Sequence, residues 1–401
     1  MKYEVLNRSH VKRNIVIALI VVGVISAIVL NFTRAKYRTT ESMPLLNGTI
    51  NYTLADLNIV AMYLDGSEID TLPDGNYELT EESYCTNEVN VKDESITLSY
   101  DSSTKGLSVS PMTKKGTKCY LYFEEKLCPE GATACDTIVA ASRPQAQTTD
   151  WTGQTTYYYT GKPDNWVQFA GFFWRIIRIN GNGSIRMIYQ GTSANETGTG
   201  TQIGTGVFNS DPFNKTYVGL VYDGTNQHGS GTPSTIMNTL NTWYNNNLAS
   251  YEEKYIDTGT GFCSDRNIAS GENYTDSSFH YAPNDRNNYG ENNGSLQCHD
   301  DDILSQDNGK IPNPIGLLTS DEYVLARRSS SYLYVKISYW TMSPFWYGNG
   351  LAYVFIVHSN GSLGNDFVHQ ELGVRPVINL KSTVALEGDG SVNTPFKIVG
   401  T

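Results

Sequence analysis

A run of sixteen residues, Ile15 to Leu30, contains a single polar side chain, Ser26, and limits the topology of this chain more than any other feature. A membrane-spanning helix needs about 17–25 residues and the apolar core of a signal peptide about 7–15, so the run lies between the two. We predict a transmembrane anchor or a removed signal segment at residues 15–32, preceded by a cytoplasmic tail at 1–14. A buried helix of a soluble fold is the remaining alternative. The anchor predicts a single-pass protein of the cell membrane with an extracellular C-terminal domain.

The cysteine content agrees with export. The chain has six cysteines and no Cys-x-x-Cys pair, which argues against a zinc knuckle. Pairing nearest neighbours along the sequence predicts the disulfides Cys85–Cys119, Cys128–Cys135 and Cys263–Cys298. Disulfides persist in exported proteins, whereas free buried thiols would be expected in a reducing compartment.

The composition favours short strands and loops over long helices. Charged residues make up only 17% of the chain, while Gly, Asn, Thr and Tyr are plentiful. The formal charge is −12, and basic residues crowd into the first forty positions, so the remainder is more acidic still. An acidic body repels phosphate backbones, so we expect no nucleic-acid partner.

Residues 41–125 are predicted to form a small all-β spacer domain. Stretches 76–80, 95–100, 106–110 and 119–123 alternate apolar and polar positions at the strand period, with turn residues between them. The polar, turn-rich residues 126–160 are predicted to be a linker.

Residues 161–401 are predicted to form the large C-terminal domain. Two apolar strands flank Asn180-Gly181-Asn182-Gly183, a strong hairpin signal because Asn and Gly tolerate positive φ. Arg175, Arg178 and Arg186 on these strands could form an anion site. The pattern favours instead a solvated face for these arginines.

Two helices are predicted in the same region. Apolar residues recur at spacings of three and four within 233–256, and Thr319 followed by Glu322 makes a capping box at the start of 319–328. The long polar stretch between them, 263–313, is expected to be held down by the Cys263–Cys298 bond.

The stretch from Tyr339 to Gly361 has the composition of a binding surface. Phe345, Trp346 and Tyr347 stand side by side before Gly348-Asn349-Gly350. Aromatic side chains supply rigid amphipathic contact area, and Asn and Gly supply adaptable hydrogen bonding. The alternative is that these aromatics fill the core beneath the last hairpin.

Five motifs in this order, FAGFFWRIIRINGNGSIRMIY, FCSDRN, NGKIPNPIGLLTSDEYVLA, YWTMSP and GVRPVINLK, resemble uncharacterised bacterial membrane-anchored surface proteins. These are similar to C-type-lectin-like domains of the formylglycine-generating-enzyme subtype and to variable proteins of diversity-generating retroelements. The resemblance covers about residues 150–401. It implies an α+β fold: a C-type-lectin-like domain of two helices with interleaved β-hairpins, following the all-β domain and an N-terminal transmembrane helix.

The resemblance also implies where a ligand would bind, in the loops and short strands before the closing GVRP segment. The implied ligand-binding residues are Phe345, Trp346, Tyr347, Asn349, His358, Asn360, Asn365, Asp366, His369 and Gln370. The expected function is a surface-displayed protein that recognises a protein or glycan ligand and is diversified by a retroelement. The alternative is a structural or adhesive envelope component without a discrete ligand site.

No constellation for catalysis is recognisable, and we expect no enzyme activity and no cofactor. The histidines are scattered, and no cysteine follows Cys298, although formylglycine-generating enzymes depend on cysteines in that half of the fold. His358 and His369 facing each other across the last hairpin would be an acid/base alternative. Calcium is the one metal considered, because hard cations prefer clustered oxygen ligands. Its weak candidate ligands are Asp300, Asp301, Asp302 and Asp307.

Overall fold

The computed structural model describes residues 57–73, 77–87, 89–101, 105–111, 117–287, 293–327 and 331–399. The chain divides after Lys126 into two compact units, here called unit 1 and unit 2. The predicted tail 1–14 and apolar segment 15–32 lie outside the described residues.

The described residues of unit 1 form seven short strands. They are β1 (Leu57–Leu64), β2 (Ser67–Ile69), β3 (Tyr77–Leu79), β4 (Tyr84–Thr86), β5 (Thr97–Asp101), β6 (Gly106–Ser110) and β7 (Thr117–Glu125). The main sheet has the order β2-β1-β7-β3, with β4 also paired to β7 and with β1 and β7 parallel. Strands β5 and β6 form a separate hairpin.

Strand β7 shows why this small unit folds. Cys119, Leu121 and Phe123 alternate with half-buried residues and point into the core of unit 1. The intervening Tyr120 and Tyr122 therefore lie on the opposite face of the sheet, because side chains alternate along a strand.

Two further tyrosines stack on this outer face. The Tyr63 and Tyr122 rings lie 4.6 Å apart between centroids, and those of Tyr84 and Tyr120 lie 5.0 Å apart. These four residues are called the tyrosine ladder below.

The predicted disulfides are confirmed. The bonds join Cys85 to Cys119, Cys128 to Cys135, and Cys263 to Cys298, and no described cysteine is free. The first bond connects directly paired residues of β4 and β7. The third lies in the long polar stretch 263–313 between the two predicted helices, as expected.

Unit 2 contains two large sheets. Its strands are β8 (Ala146–Thr149), β9 (Thr155–Tyr158), β10 (Trp166–Phe169), β11 (Phe172–Ile179), β12 (Ile185–Gly191), β13 (Gly204–Gly206), β14 (Val221–Tyr222), β15 (Thr232–Pro233), β16 (Phe262–Cys263), β17 (Phe279–His280), β18 (Ile303–Leu304), β19 (Tyr339–Gly348), β20 (Leu351–Val357), β21 (Leu363–Phe367), β22 (Leu372–Val374), β23 (Val377–Leu380), β24 (Leu386–Glu387) and β25 (Phe396–Ile398). One sheet has the order β23-β12-β11-β10-β25-β24, extended by β9 and β8. The other has the order β13-β22-β19-β20-β21, with β17 also paired to β19.

The helices of unit 2 are short. They are α1 (Thr133–Ala141), α2 (Thr235–Asn247), α3 (Glu252–Tyr255), α4 (Ala282–Asn287) and α5 (Ser320–Ala326). The longest among the described residues, α2, has 13 residues. Helix α5 begins with the predicted capping box of Thr319 and Glu322.

The expected α+β, C-type-lectin-like fold is therefore wrong: the described chain consists mainly of β-sheet, and a helix-rich lectin domain is not observed. The described residues of the polar stretch between the two predicted helices form short strands, turns and the six-residue helix α4, because their Asn, Thr and Gly residues favour strands and turns over long helices.

The expected transmembrane helix and single-pass membrane location are also corrected. Among the described residues, no helix is both long enough and apolar enough to cross a bilayer.

Residues 126–160 differ from the expected linker. They form α1, β8 and β9, and Leu127, Ile138 and Tyr159 are buried in the core of unit 2. The Cys128–Cys135 bond ties the start of this segment to α1.

The expectation of solvated arginines on the β11–β12 hairpin is wrong. Arg175, Arg178 and Arg186 are all buried. Arg178 forms an ion pair of 3.1 Å with the capping-box carboxylate of Glu322, and Arg186 pairs with the same carboxylate. Although burial opposes ionisation, these two guanidinium groups hold the pKa of Glu322 below its usual value. The shared carboxylate makes burial of two cations tolerable.

Candidate functional site

The sheet formed by β17, β19, β20 and β21 carries a line of aromatic side chains. His280 pairs directly with Trp346, Trp346 with Tyr353, and Tyr353 with Phe367. Directly paired residues point to the same face of a sheet, so the four rings lie side by side. His369, just beyond β21, adds a fifth ring. These five residues are called the aromatic row.

Ring distances show that the row is continuous. Successive centroids from His280 to His369 lie 5.9, 4.8, 4.5 and 5.6 Å apart, with interplanar angles between 17° and 51°. Each ring therefore lies next to the following one in the row. His369 is exposed and the other four are half-buried, so apolar ring edges and faces remain in contact with water.

The β19–β20 hairpin ends in an Asn-Gly turn. Asn349 and Gly350 have φ values of 53° and 74°, the signature of a type I′ turn, which matches the twist of the flanking strands. This turn sets the register that pairs Trp346 with Tyr353. Asn349 itself is exposed at the tip.

The position of Trp346 depends on Gly348. A Cβ atom at Gly348 would lie 2.0 Å from the indole ring, so only glycine lets the ring lie over the backbone there. The indole Nε1 also donates a hydrogen bond of 3.0 Å to Ser278 Oγ. Both contacts hold the indole in one orientation on the sheet surface.

Hydrogen bonds to one carboxylate fix the first ring of the row. His280 Nδ1 lies 3.0 Å from Glu272 Oε1, and the backbone N–H of His280 donates to the other carboxylate oxygen. Although burial opposes it, hydrogen bonding from His280 lowers the pKa of Glu272.

The row lies outside the main core of unit 2. On the same strands, Val354 and Ile356 face that core, while Phe345 and Phe355 pack edge to face, 4.9 Å apart, beside the row. Phe345 is 8% exposed and Phe355 is 1% exposed. The expectation that Phe345 contacts a ligand is therefore wrong. The irregular register between Pro344 and Trp346 allows both Phe345 and Trp346 to reach the His280 ring.

Tyr347 lies on the other side of the sheet from the row. It is half-buried, packs against the main core, and lies 5.8 Å from the Phe279 ring. Of the three adjacent aromatics, only Trp346 belongs to the row.

The other predicted residues are spread along the β20–β21 hairpin. His358 and Asn360 lie at its turn, where Asn360 Oδ1 accepts hydrogen bonds from the N–H and hydroxyl of Ser362. Asn365 is half-buried and lies two residues before Phe367, on the same face as the row.

Two more lie near the other end of this hairpin. Asp366 points to the opposite face and accepts a hydrogen bond from the backbone N–H of Phe367, and Gln370 lies in the turn that follows. His358 and His369 are at opposite ends of the hairpin, so they do not form the acid/base pair considered above.

His280, Tyr353 and Phe367 were missed by sequence reasoning. Tyr353 lies in an apolar strand and Phe367 in a polar one, and only the strand register aligns them. The sequence does contain a signal for this alignment. If Asn349-Gly350 is taken as a two-residue hairpin turn, Trp346 pairs with Tyr353.

The calcium candidates do not converge. Asp302 is buried, with its carboxylate in an ion pair of 3.0 Å with Arg266 and 2.9 Å from His228 Nδ1, whereas Asp300 and Asp301 are exposed. Within the described ranges, no group of three or more His, Cys, Asp or Glu residues could hold a metal ion.

A scan of known protein families finds no match for this chain, and neither a curated protein nor a solved structure is found to match it.

Proposed function

We propose that the protein binds a glycan chain along the aromatic row and releases it without chemical change. The carrying observation is the in-register alignment of half-exposed rings on the sheet face that the main core does not use. Aromatic rings bury the apolar faces of sugars, and neighbouring polar side chains orient the hydroxyl groups.

The dimensions of the row favour a narrow, extended ligand. Four adjacent strands span roughly 15 Å at the usual strand spacing. The row is one side chain wide, and the buried Phe345 and Phe355 lie immediately beside it. A stable interface with a folded protein needs about 800 Å² from each partner, which such a strip does not offer.

Polar groups for sugar hydroxyls lie beside the rings. Asn365 precedes Phe367 on the same face, and the imidazole of His369 is exposed at the end of the row. Burial and the nearby Asp366 carboxylate raise the pKa of Tyr353, which keeps its phenol a neutral hydrogen-bonding group. Three disulfides suit an oxidising, extracellular setting for such recognition.

The test compares two neighbouring aromatics on opposite faces. The full-length protein is screened on a glycan array, and the strongest ligand is titrated by calorimetry against Trp346→Ala and Tyr347→Ala. Losing an anchor of this kind costs about 2 kcal/mol, or roughly 30-fold in affinity. We expect that loss for Trp346→Ala with a small change in melting temperature. Tyr347→Ala should lower stability and leave affinity nearly unchanged.

The opposite pattern would reject the proposal. If Trp346→Ala unfolds the domain as readily as Tyr347→Ala, the row is packing surface, as in the structural or adhesive alternative. If Trp346→Ala keeps full affinity for the array ligand, the glycan binds elsewhere.

A further inference from the structure

A cleft of about 780 Å³ lies in unit 2, away from the five rings of the row. Its lining includes Lys162, Trp166, Arg175, Arg327, Tyr332 and Asn360. Small-molecule sites usually measure about 300–1,000 Å³ and combine aromatic walls with a few polar groups.

Arg175 is the central group of this cleft. Its side chain is 7% exposed, and its guanidinium carbon lies 4.3 Å from the Trp166 ring centre and 4.9 Å from that of Tyr332. Its Nε donates to Asn165 Oδ1, and its Nη2 donates to the Pro163 carbonyl at 3.0 Å. Within the described ranges, no carboxylate forms an ion pair with it, and no hydrogen bond to Nη1 is found.

Other buried arginines of unit 2 have a carboxylate partner or several carbonyl partners, although single atoms such as Arg178 Nη1 and Arg266 Nη2 are buried without a hydrogen bond. Arg375 donates to the carbonyls of Thr201, Leu333 and Tyr189 and to the Gln190 side chain. Arg178 and Arg186 share Glu322, as described above. Arg375 also has no carboxylate partner but has four acceptors, whereas Arg175 has two and lines an open cleft where an anion can reach it. A buried cation without an anion is costly, so a bound anion would stabilise Arg175.

The charged residues that line the cleft are mostly basic, so they attract an anion. Lys162 and Arg327 are exposed cations on the lining, opposed by Asp164. Burial lowers the pKa of Arg175 to about 10, so its side chain stays cationic at neutral pH.

We propose that this cleft binds a small hydroxylated carboxylate of the uronic-acid class, with the carboxylate on Nη1 of Arg175. Lys162 and Arg327 supply long-range attraction. Asn360, whose Nδ2 makes no hydrogen bond to described residues, orients a hydroxyl group. This site is separate from the aromatic row and does not depend on it.

The experiment uses glucuronate and glucose, which differ in the carboxylate that the cleft should recognise. Each sugar is titrated into the full-length protein by calorimetry and by saturation-transfer NMR. We expect glucuronate to bind at least about tenfold more tightly than glucose, because a charge-assisted hydrogen bond distinguishes them. Arg175→Gln should remove this preference, and Trp346→Ala should leave it unchanged.

A second variant covers the case in which Arg175→Gln does not fold. Lys162→Gln combined with Arg327→Gln changes only exposed side chains and should weaken glucuronate several-fold. Lys397→Gln, an exposed lysine that does not line the cleft, is the matched control and should have no effect. Equal affinity for the two sugars, binding of neither at millimolar concentration, or equal losses in the rim and control variants would overturn the proposal.

Discussion

Both units expose aromatic rings on the sheet face that points away from their cores, but they assemble these rings differently. In the tyrosine ladder of unit 1, two rings come from one strand, β7, and each stacks on one partner. In the aromatic row of unit 2, each strand contributes one ring, and His369 follows from a turn.

The two surfaces also differ in the core that stabilises each of them. The ladder is backed by a small core that contains the Cys85–Cys119 disulfide, directly beside the Tyr84–Tyr120 pair. The row is backed by the main core of unit 2, through residues such as Val354 and Ile356. A covalent bond supports the first surface, and extensive apolar packing supports the second.

The largest expected effect tests whether the disulfide stabilises the ladder without affecting the row. Cys85→Ala opens the disulfide behind the ladder and should destabilise unit 1 by about 2–5 kcal/mol, as is usual when a small domain loses a native bond. Hydrogen exchange followed by mass spectrometry should show faster exchange in β7 and unchanged exchange in β19–β21. Cys119→Ala is the matched control and should give the same result. Equal loss of protection in β20 would contradict the separation of the two surfaces.

An intermediate effect is expected at the glycine beneath the row. In Gly348→Ala the added methyl group meets the indole of Trp346, which must move off the sheet. We expect about tenfold weaker glycan binding, or about 1.4 kcal/mol, with little change in unfolding free energy.

Two controls accompany this substitution in the same calorimetric titration. Gly224→Ala adds a methyl group where nothing lies within 4 Å, so it should leave affinity unchanged. Tyr122→Ala removes a ladder ring and should also leave affinity unchanged. If it weakens binding as much as Gly348→Ala does, the ladder and the row share the ligand.

The smallest effect concerns the Glu272–His280 contact. Hydrogen bonding from His280, working against burial, lowers the pKa of Glu272 below its usual 4.5. The stabilisation is therefore fully present above about pH 4.5 and is lost as the pH falls through the lower folded value. Because the pair is partly exposed, we expect about 0.5 kcal/mol. Thermal unfolding should show Glu272→Gln less stable than the parent at pH 6 and equal to it at the acidic end. If the variant is still less stable than the parent at acidic pH, the ionised Glu272 carboxylate is not the source of the stability difference.

Local signals in the sequence predicted individual elements correctly, although the fold class expected from the resemblance is wrong. The Asn180–Gly183 hairpin, the Thr319/Glu322 capping box and the disulfides all depend on residues with strong intrinsic preferences or few possible partners. The ladder could likewise be read from the alternation in β7. These features need little knowledge of the tertiary structure.

The remaining features depend on long-range contacts. Arg178 and Glu322 are 144 positions apart, so no local pattern shows that the arginine is buried. The row depends on the register of three strand pairs, and a shift of one residue would turn Phe367 to the other face. Both predicted helices form, as α2 and α5. The expected lectin-like fold is wrong for a related reason, because these helices are minor elements beside large sheets.

The β20–β21 hairpin contributes to two proposed sites at once. Its Asn360–Gly361 turn lines the cleft, while Tyr353 and Phe367, near its other end, belong to the row. In a β-hairpin, the type and length of the turn set the strand register. A change in the length of this turn would therefore alter both the cleft and the pairing of Tyr353 with Phe367. During divergence, the two proposed sites would change specificity together unless the substitutions spared this turn.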